Sequence, residues 1–324
     1  MEEKKLHPVR FCAIEDKYIW GSETFCCADL GYRDSVVAGG WLGGNTLSEI
    51  METYMDRVTG ENVYNFYGRQ FPICIRRISC KGKMPLRVHP GDELAAQRYD
   101  FLGKEKLWYI ASAGKDASVM IGFRKQSDAG EFYDACLDGS VDGLLNTTAV
   151  HAGECFRIAP GTVHCACGDV EIIEVAESSP LDFCLCAWGE DISEEEFDTS
   201  LSLVEALDFI DYAPWKAERC DTRDGIVRKL VDIEQFCVSR ISLTDALKIS
   251  GGENPSFVLY HCLNGAASVQ IDVLGKEAAF RMKAGETLMV PAECGEFLLV
   301  PEEKSTDLLE CVVPPREEKD SYLN

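Results

Sequence analysis

The chain has 324 residues, 46% of them hydrophobic and 27% charged, with a formal net charge of −23. That composition is globular, the length calls for two domains, and the charge is repelled by nucleic acid and by anionic lipid surfaces, so neither is an expected partner. No run approaches the roughly 18 consecutive apolar residues of a membrane helix, and the charged start Met1-Glu2-Glu3-Lys4-Lys5 leads into no apolar segment. Neither a secretory nor a transit leader is expected, and the expected address is cytoplasmic. Sixteen cysteines without a CxxC pair read as free thiols packed as small hydrophobes in a reducing compartment.

In chain order, Thr46-Leu-Ser-Glu-Ile-Met-Glu-Thr-Tyr-Met55 predicts a helix opened by a Thr-x-x-Glu capping box. Short β-branched or aromatic runs bounded by Gly, Pro or Asp predict strands at Phe71–Ile78, Leu107–Ala111, Ser118–Phe123 and Val170–Val175. Apolar residues at helical spacing, broken by glycines, mark Ser127–Leu145, and a further helix is predicted over Leu201–Ile210. Gly189–Asp198 is acidic and reads as a linker into that helix. Strands return at Phe236–Leu243, Phe257–Leu263, Ala267–Val273 and Glu286–Val290. The fold class expected is mainly β, with two jelly-roll barrels and a few short helices: an N-terminal domain over 1–190, a connector over 191–224 and a C-terminal domain over 225–324. A weak repeat supports two related barrels. Gly153-Glu-Cys-Phe-Arg-Ile-Ala-Pro-Gly-Thr-Val-His164 and Gly285-Glu-Thr-Leu-Met-Val-Pro-Ala-Glu-Cys-Gly295 each give a Gly-acid turn, a strand and a proline turn, and only the first ends in His.

Chemistry concentrates in the first half. Between Arg76 and Lys106 there are eight Lys/Arg against four Asp/Glu, a local balance of +4 inside an acidic chain; a phosphorylated small molecule would need such a site, and solvated strand ends would also produce it. His89 and His164 fall near strand ends of the first barrel, where a small barrel forms its ligand or metal site, and two converging imidazoles suit zinc, iron or manganese.

The motif set is specific. Gly153-x6-Pro160-Gly161-x2-His164 is the second cupin motif. Val88-His89-Pro90, with Phe71-Pro72 before it and Gly103-Lys104 and Trp108-Tyr109 after it, resembles the type I mannose-6-phosphate isomerases. So do Trp20-Gly21, Gly44–Ile50, the helix Leu203–Asp211 and the turn Gly295-Glu-Phe297, and the resemblance runs from about Trp20 to Pro314. It implies a cupin that uses zinc, or another divalent metal, to interconvert mannose 6-phosphate and fructose 6-phosphate through an enediol. On that pattern His89 and His164 are metal ligands, Lys104 is a site lysine, and the small partner is a phosphorylated sugar.

The chain departs from the pattern at three places. Arg87 stands for the Gln of Q-V-H-P. Lys106 stands for the Glu ligand of G-K-T-E-x-W-Y. Aligned over Ser179 to Leu185 on a run like S-D-A-T-Y-R-V-Y, Cys184 stands for the catalytic Arg. Protonated Arg and Lys offer no lone pair and repel a dication. Glu105 is therefore the carboxylate expected to replace the missing ligand and to share catalysis with Lys104, if a bulge re-aims it. His151 is a further ligand candidate, although a surface position at a strand end suits it better. The alternative to an isomerase is a non-catalytic cupin that binds a sugar phosphate or another anion through Arg87, Lys104 and Lys106. The sequence sets no oligomeric state.

Overall fold

The computed structural model describes residues 4–189, 199–216, 219–220, 225–250, 256–273 and 275–315; most of the acidic linker, 190–198, lies outside them. The chain divides into two compact units: described residues within 15–24 and 77–220 form one, and those within 1–14, 25–76 and 221–321 form the other. This differs from a division at 190 and 225, because the early segment clusters with the late strands. Val9–Arg10 pairs antiparallel with Thr287–Val290, and the Phe71 ring lies 4.6 Å from that of Phe257.

The site-bearing unit is built on two antiparallel sheets. One runs in the order Arg219–Cys220, Cys155–Ile158, Lys106–Ala113, Val170–Glu177, Ile73–Cys80, Gly21–Cys27, Ile14–Tyr18, of whose last three strands residues 77–80, 21–24 and 15–18 belong to this unit. The other runs Phe183–Cys186, Leu86–Val88, His164–Cys167, Ser118–Phe123, Leu145–Ala149. Alternate residues of both sheets meet in one core, with Ile78, Trp108, Ile110, Phe156 and Ile172 from the first against Val119, Ile121 and Ala166 from the second. The sheets stay separate, so the unit is a jelly-roll sandwich, the cupin architecture expected.

The second unit repeats the plan. A six-stranded sheet ordered Val9–Arg10, Thr287–Val290, Val258–Asn264, Thr306–Val312, Cys237–Leu243, Val227–Asp232 faces a four-stranded one ordered Leu247–Ile249, Phe297–Pro301, Ala266–Val273, Lys276–Lys283. Their shared core holds Tyr260, Leu288 and Leu308 against Val269, Phe297 and Leu299. The sequence repeat is a structural repeat down to its hydrogen bonds. The His151 N–H donates to the Glu154 carboxylate at 2.8 Å, and the Lys283 N–H donates to that of Glu286 at 3.0 Å; each closes the turn that Gly153 (φ 89°) and Gly285 (φ 83°) make possible.

The strands predicted from composition are present within a residue or two. The capping box forms as read: Thr46 Oγ1 accepts from the Glu49 N–H, and Glu49 accepts from the Thr46 N–H, at the start of the helix Leu47–Tyr54. The Ser127–Leu145 pattern resolves into the helix Ala129–Asp138, a 3₁₀ turn and the strand Leu145–Ala149. The late helix is Thr199–Ala206. The helices Asp56–Thr59, Glu61–Tyr67 and Asp92–Tyr99 are short and carry sequence patterns too weak to predict them.

Candidate active site

Leu86–Val88 ends where Pro90 removes a ladder donor, and the His89 carbonyl there accepts from the Gly161 N–H at 2.8 Å. That bond ties the two cupin motifs together. Gly161 (φ 77°) must be glycine, since a Cβ would lie 2.6 Å from the Phe209 carbonyl oxygen. The turn delivers His164 as the first residue of its strand, directly opposite Arg87. Arg87 also pairs in register with Cys184, two residues beyond Asp182. Alternation along each strand then brings Arg87, His89, His164 and Asp182 to one side.

His89 and His164 are fully buried, with ring centroids 5.3 Å apart. One candidate ligand atom from each of His89, His164 and Asp182 lies within 4.8 Å of the other two, a group that could hold a metal ion. His164 Nδ1 lies 2.9 Å from the Thr162 carbonyl oxygen, which can only accept. Nδ1 therefore carries the proton, and Nε2 presents its one lone pair to the site. Burial, reinforced by the Lys106 ammonium, lowers the His164 pKa to about 3. Burial first, then Lys106 and His164, pushes His89 well below the ordinary imidazole value. Both rings are neutral at pH 7. Neither ring nitrogen of His89 has a hydrogen-bond partner among the described residues, which is uncommon for a buried imidazole and points to a group that acts on a ligand.

Lys106 reaches this cluster from the facing sheet. It is 0% exposed. Its ammonium donates to Asp182 Oδ1 and Oδ2, both at 2.9 Å, and to His164 Nε2 at 3.2 Å, with Glu174 Oε2 at 3.8 Å. Glu174 in turn accepts from the Trp108 indole N–H at 2.7 Å. Arg87 donates to Glu23 Oε1 at 2.8 Å and lies 3.9 Å from Asp182. The core of this unit thus holds a chain of alternating charge: Glu23, Arg87, Asp182, Lys106, Glu174.

Three sequence expectations change here. Glu105 does not join the histidines: no bulge re-aims it, and its two oxygens receive Arg157 Nη2 at 2.7 Å and Nε at 3.1 Å. One residue from Lys106 on the strand, it faces the other way. The third carboxylate is Asp182, missed in the sequence although it occupies the Thr position of the aligned S-D-A-T-Y-R-V-Y run. The basic surplus of 76–106 is not an open anion pocket. Arg87 and Lys106 are met by Glu23 and Asp182, and Lys81, Lys83 and Arg98 pair with Asp169, Asp142 and Asp208. His151 is a surface residue, its side chain 82% exposed beside Glu154. Lys104 is buried near enough to His89 for its charge to be felt there, and Cys184 is a buried thiol whose pKa burial raises to about 11.

No protein-family model matches the chain. It is 24% identical over 316 residues to the mannose-6-phosphate isomerase ManA of Bacillus subtilis (strain 168), covering 90% of this chain and 95% of that one. The crystal structure of the mannose 6-phosphate isomerase from Bacillus subtilis superposes with a TM-score of 0.80 at 20% identity, over 94% of this chain and 99% of that one. Its relatives, by sequence and by fold, are mannose-6-phosphate isomerases. A zinc-bound mannose 6-phosphate isomerase structure also matches, with a TM-score of 0.71 at 14% identity over 95% of this chain and all of that one. The fold of those structures therefore extends over 94–95% of the chain, and the first jelly-roll carries the buried histidine pair within it.

Zinc can be tested against the donors present. Two imidazoles and a carboxylate are zinc ligands by type. The arrangement as built does not accommodate it: the only free lone pair of His164 and both Asp182 oxygens are engaged by Lys106, and a fixed positive charge sits where the dication would.

Proposed function

We propose that the chain is an aldose–ketose isomerase acting on a phosphorylated sugar, of the mannose 6-phosphate to fructose 6-phosphate type. The observation that carries this reading is His89, a buried neutral imidazole with both ring nitrogens unpaired among the described residues, set beside a second imidazole and an ammonium. Relationship to a mannose-6-phosphate isomerase over 90% of the chain supports it. The anion-binding alternative keeps only Lys104 of its three cations, because the charges of Arg87 and Lys106 are already met by Glu23 and Asp182.

The reaction takes a proton from C2 of the aldose, passes through an enediol and returns a proton to C1, while the C1 carbonyl becomes a hydroxyl and the C2 hydroxyl a carbonyl. A base must be unprotonated at working pH, and burial keeps His89 so. The developing negative charge on the sugar oxygens needs a fixed cation in a water-poor site, which Lys106 supplies; Asp182 and His164 hold that ammonium in place. Lys104, buried and close enough to influence His89, would contact the substrate phosphate or assist proton transfer. Asp182, whose side chain is 12% exposed, is the most open of the cluster, so turnover requires the pocket to open on that side. A second reading keeps zinc, on donors His89, His164 and Asp182, and requires Lys106 to release two of them. The proposed setting is the cytoplasm, where the free thiols persist.

The test is coupled detection of fructose 6-phosphate from mannose 6-phosphate, with His89→Ala as control. Turnover by the wild type that the variant loses supports the reading. A folded wild type without turnover sinks it.

A further inference from the structure

We infer that the ammonium of Lys106 takes the place of a divalent metal ion in this site, so that the first jelly-roll holds its histidine–carboxylate cluster together without metal. The inference rests on side-chain geometry and stands independently of whether the chain turns over a sugar phosphate.

Lys106 lies on the inward face of its strand and makes the contacts an ion would make. Its Nζ donates to one imidazole nitrogen and two carboxylate oxygens, with a second carboxylate behind them. The proton on His164 Nδ1 is held by the Thr162 carbonyl, so Nε2 is the one atom that could ligate, and its single lone pair already accepts from Lys106. A zinc ion bound to Nε2 would stand about 2 Å from it, inside the volume the ammonium fills. The two occupants exclude each other both by charge and by lone pair.

The neighbours agree with a cation that is part of the chain. Arg87 brings a second fixed positive charge and has its own carboxylate, Glu23, at 2.8 Å. Two cations among three carboxylates are close to balance before any ion enters, whereas an added dication would leave an excess of buried positive charge. The substitutions also read as a set. At the position of the family's ligand Glu the chain carries Lys106, and at a Thr position of the later run it carries Asp182, its partner in the structure.

The test is metal content, read apart from turnover. The wild-type chain, purified from zinc-replete growth and desalted, is expected to carry less than about a tenth of an ion per chain, and neither added zinc nor chelator should move its Tm. Lys106→Glu should take up about one cobalt(II) per chain with visible absorption typical of a four- or five-coordinate site, and metal should raise its Tm. Lys106→Met, which removes the ammonium without adding a carboxylate, covers the case in which the Glu variant does not fold, and should bind cobalt(II) more weakly. A wild type that retains about one zinc per chain overturns the inference, as does refusal of cobalt(II) by every folded variant. If a metal-free wild type shows no isomerase activity, the functional reading falls and this inference stands; if an active wild type loses both zinc and activity to chelator, the reverse holds.

Discussion

The two jelly-rolls share a plan and a turn but fill their cores differently. The first buries Glu23, Arg87, Lys106 and Glu174 around two neutral histidines, with Asp182 at the edge. The second has Phe297, like His164 the first residue of the strand after its proline turn, packed edge-on to Tyr260 at 6.2 Å in a cluster of aliphatic side chains. Its polar groups are few and locally paired: Tyr260 donates to Glu310 at 2.7 Å, and His261 Nδ1 lies 2.8 Å from Thr287 Oγ1. The difference teaches that the sandwich itself does not need the charges. One copy builds its inter-sheet core from apolar side chains with a few paired polar groups, so the plan itself does not require a buried ion chain.

The largest effect should come from breaking that chain at its most connected member. Asp182→Ala leaves the Lys106 ammonium buried with its nearest remaining carboxylate at 3.8 Å. A loss of roughly 3–5 kcal/mol is expected from the urea midpoint, as for other severed buried pairs. Asp182→Asn, which keeps two polar atoms but no charge, should lose less. Equal losses would mean that packing, not charge, is what Asp182 supplies.

In the second jelly-roll the counterpart is Phe297→Ala. It removes a 5% exposed aromatic ring and should destabilise by about 3 kcal/mol through the cavity left behind. Refilling with Leu should restore much of it, which no substitution of similar size at Asp182 can do. That contrast separates a core defined by volume from one defined by charge.

Acid should split the two units further. The folded pKa of His164 is about 3 against an ordinary 6.5, so the unfolded chain takes up the proton first as pH falls. Its contribution is complete above pH 6.5 and is lost progressively down to about 3, and His89 acts with the same sign. A destabilisation of a few kcal/mol, roughly, is expected across that window. In the second unit burial raises the carboxyl of Glu310 above its ordinary 4.5, so its contribution is present below that value and fades as pH rises through the raised pKa. Relative to the wild type, Glu310→Gln should therefore become more favourable between pH 4 and pH 7. Urea midpoints at several pH values would show it, and a flat difference would remove Glu310 from the account.

Much of this was legible in the sequence, and the misses have physical causes. Strands announced themselves through β-branched runs, and Thr46 through its capping box, because those signals are local. His89 and His164 stood out because proline turns fix where strands end. The counter-charges were hidden: Glu23 is 64 residues from Arg87 and Asp182 is 76 from Lys106, so a local count of +4 looked like an open basic site while the acids that neutralise it lay elsewhere. The fate of Glu105 was decided by strand parity, which the sequence stated correctly. The re-aiming bulge was the wrong expectation, and Arg157 on the neighbouring strand takes the carboxylate instead.

The finest comparison is between the two turns. Glu154 and Glu286 each accept the backbone N–H three residues upstream, at 2.8 and 3.0 Å, and both side chains are 28% exposed. If the repeat is energetic as well as geometric, Glu154→Ala and Glu286→Ala should each lose about 1 kcal/mol, the ordinary value for one such hydrogen bond. Glu286 also receives Arg10 Nη1 at 3.1 Å, an exposed pair that should add only a few tenths more, roughly, and only at low salt. Measuring both variants in low and high salt isolates that increment. Matching losses at high salt would mean that the two jelly-rolls still share the energetics of one ancestral hairpin. A clear excess at Glu154 would mean that this turn has been tightened, because the strand that follows it leads to His164.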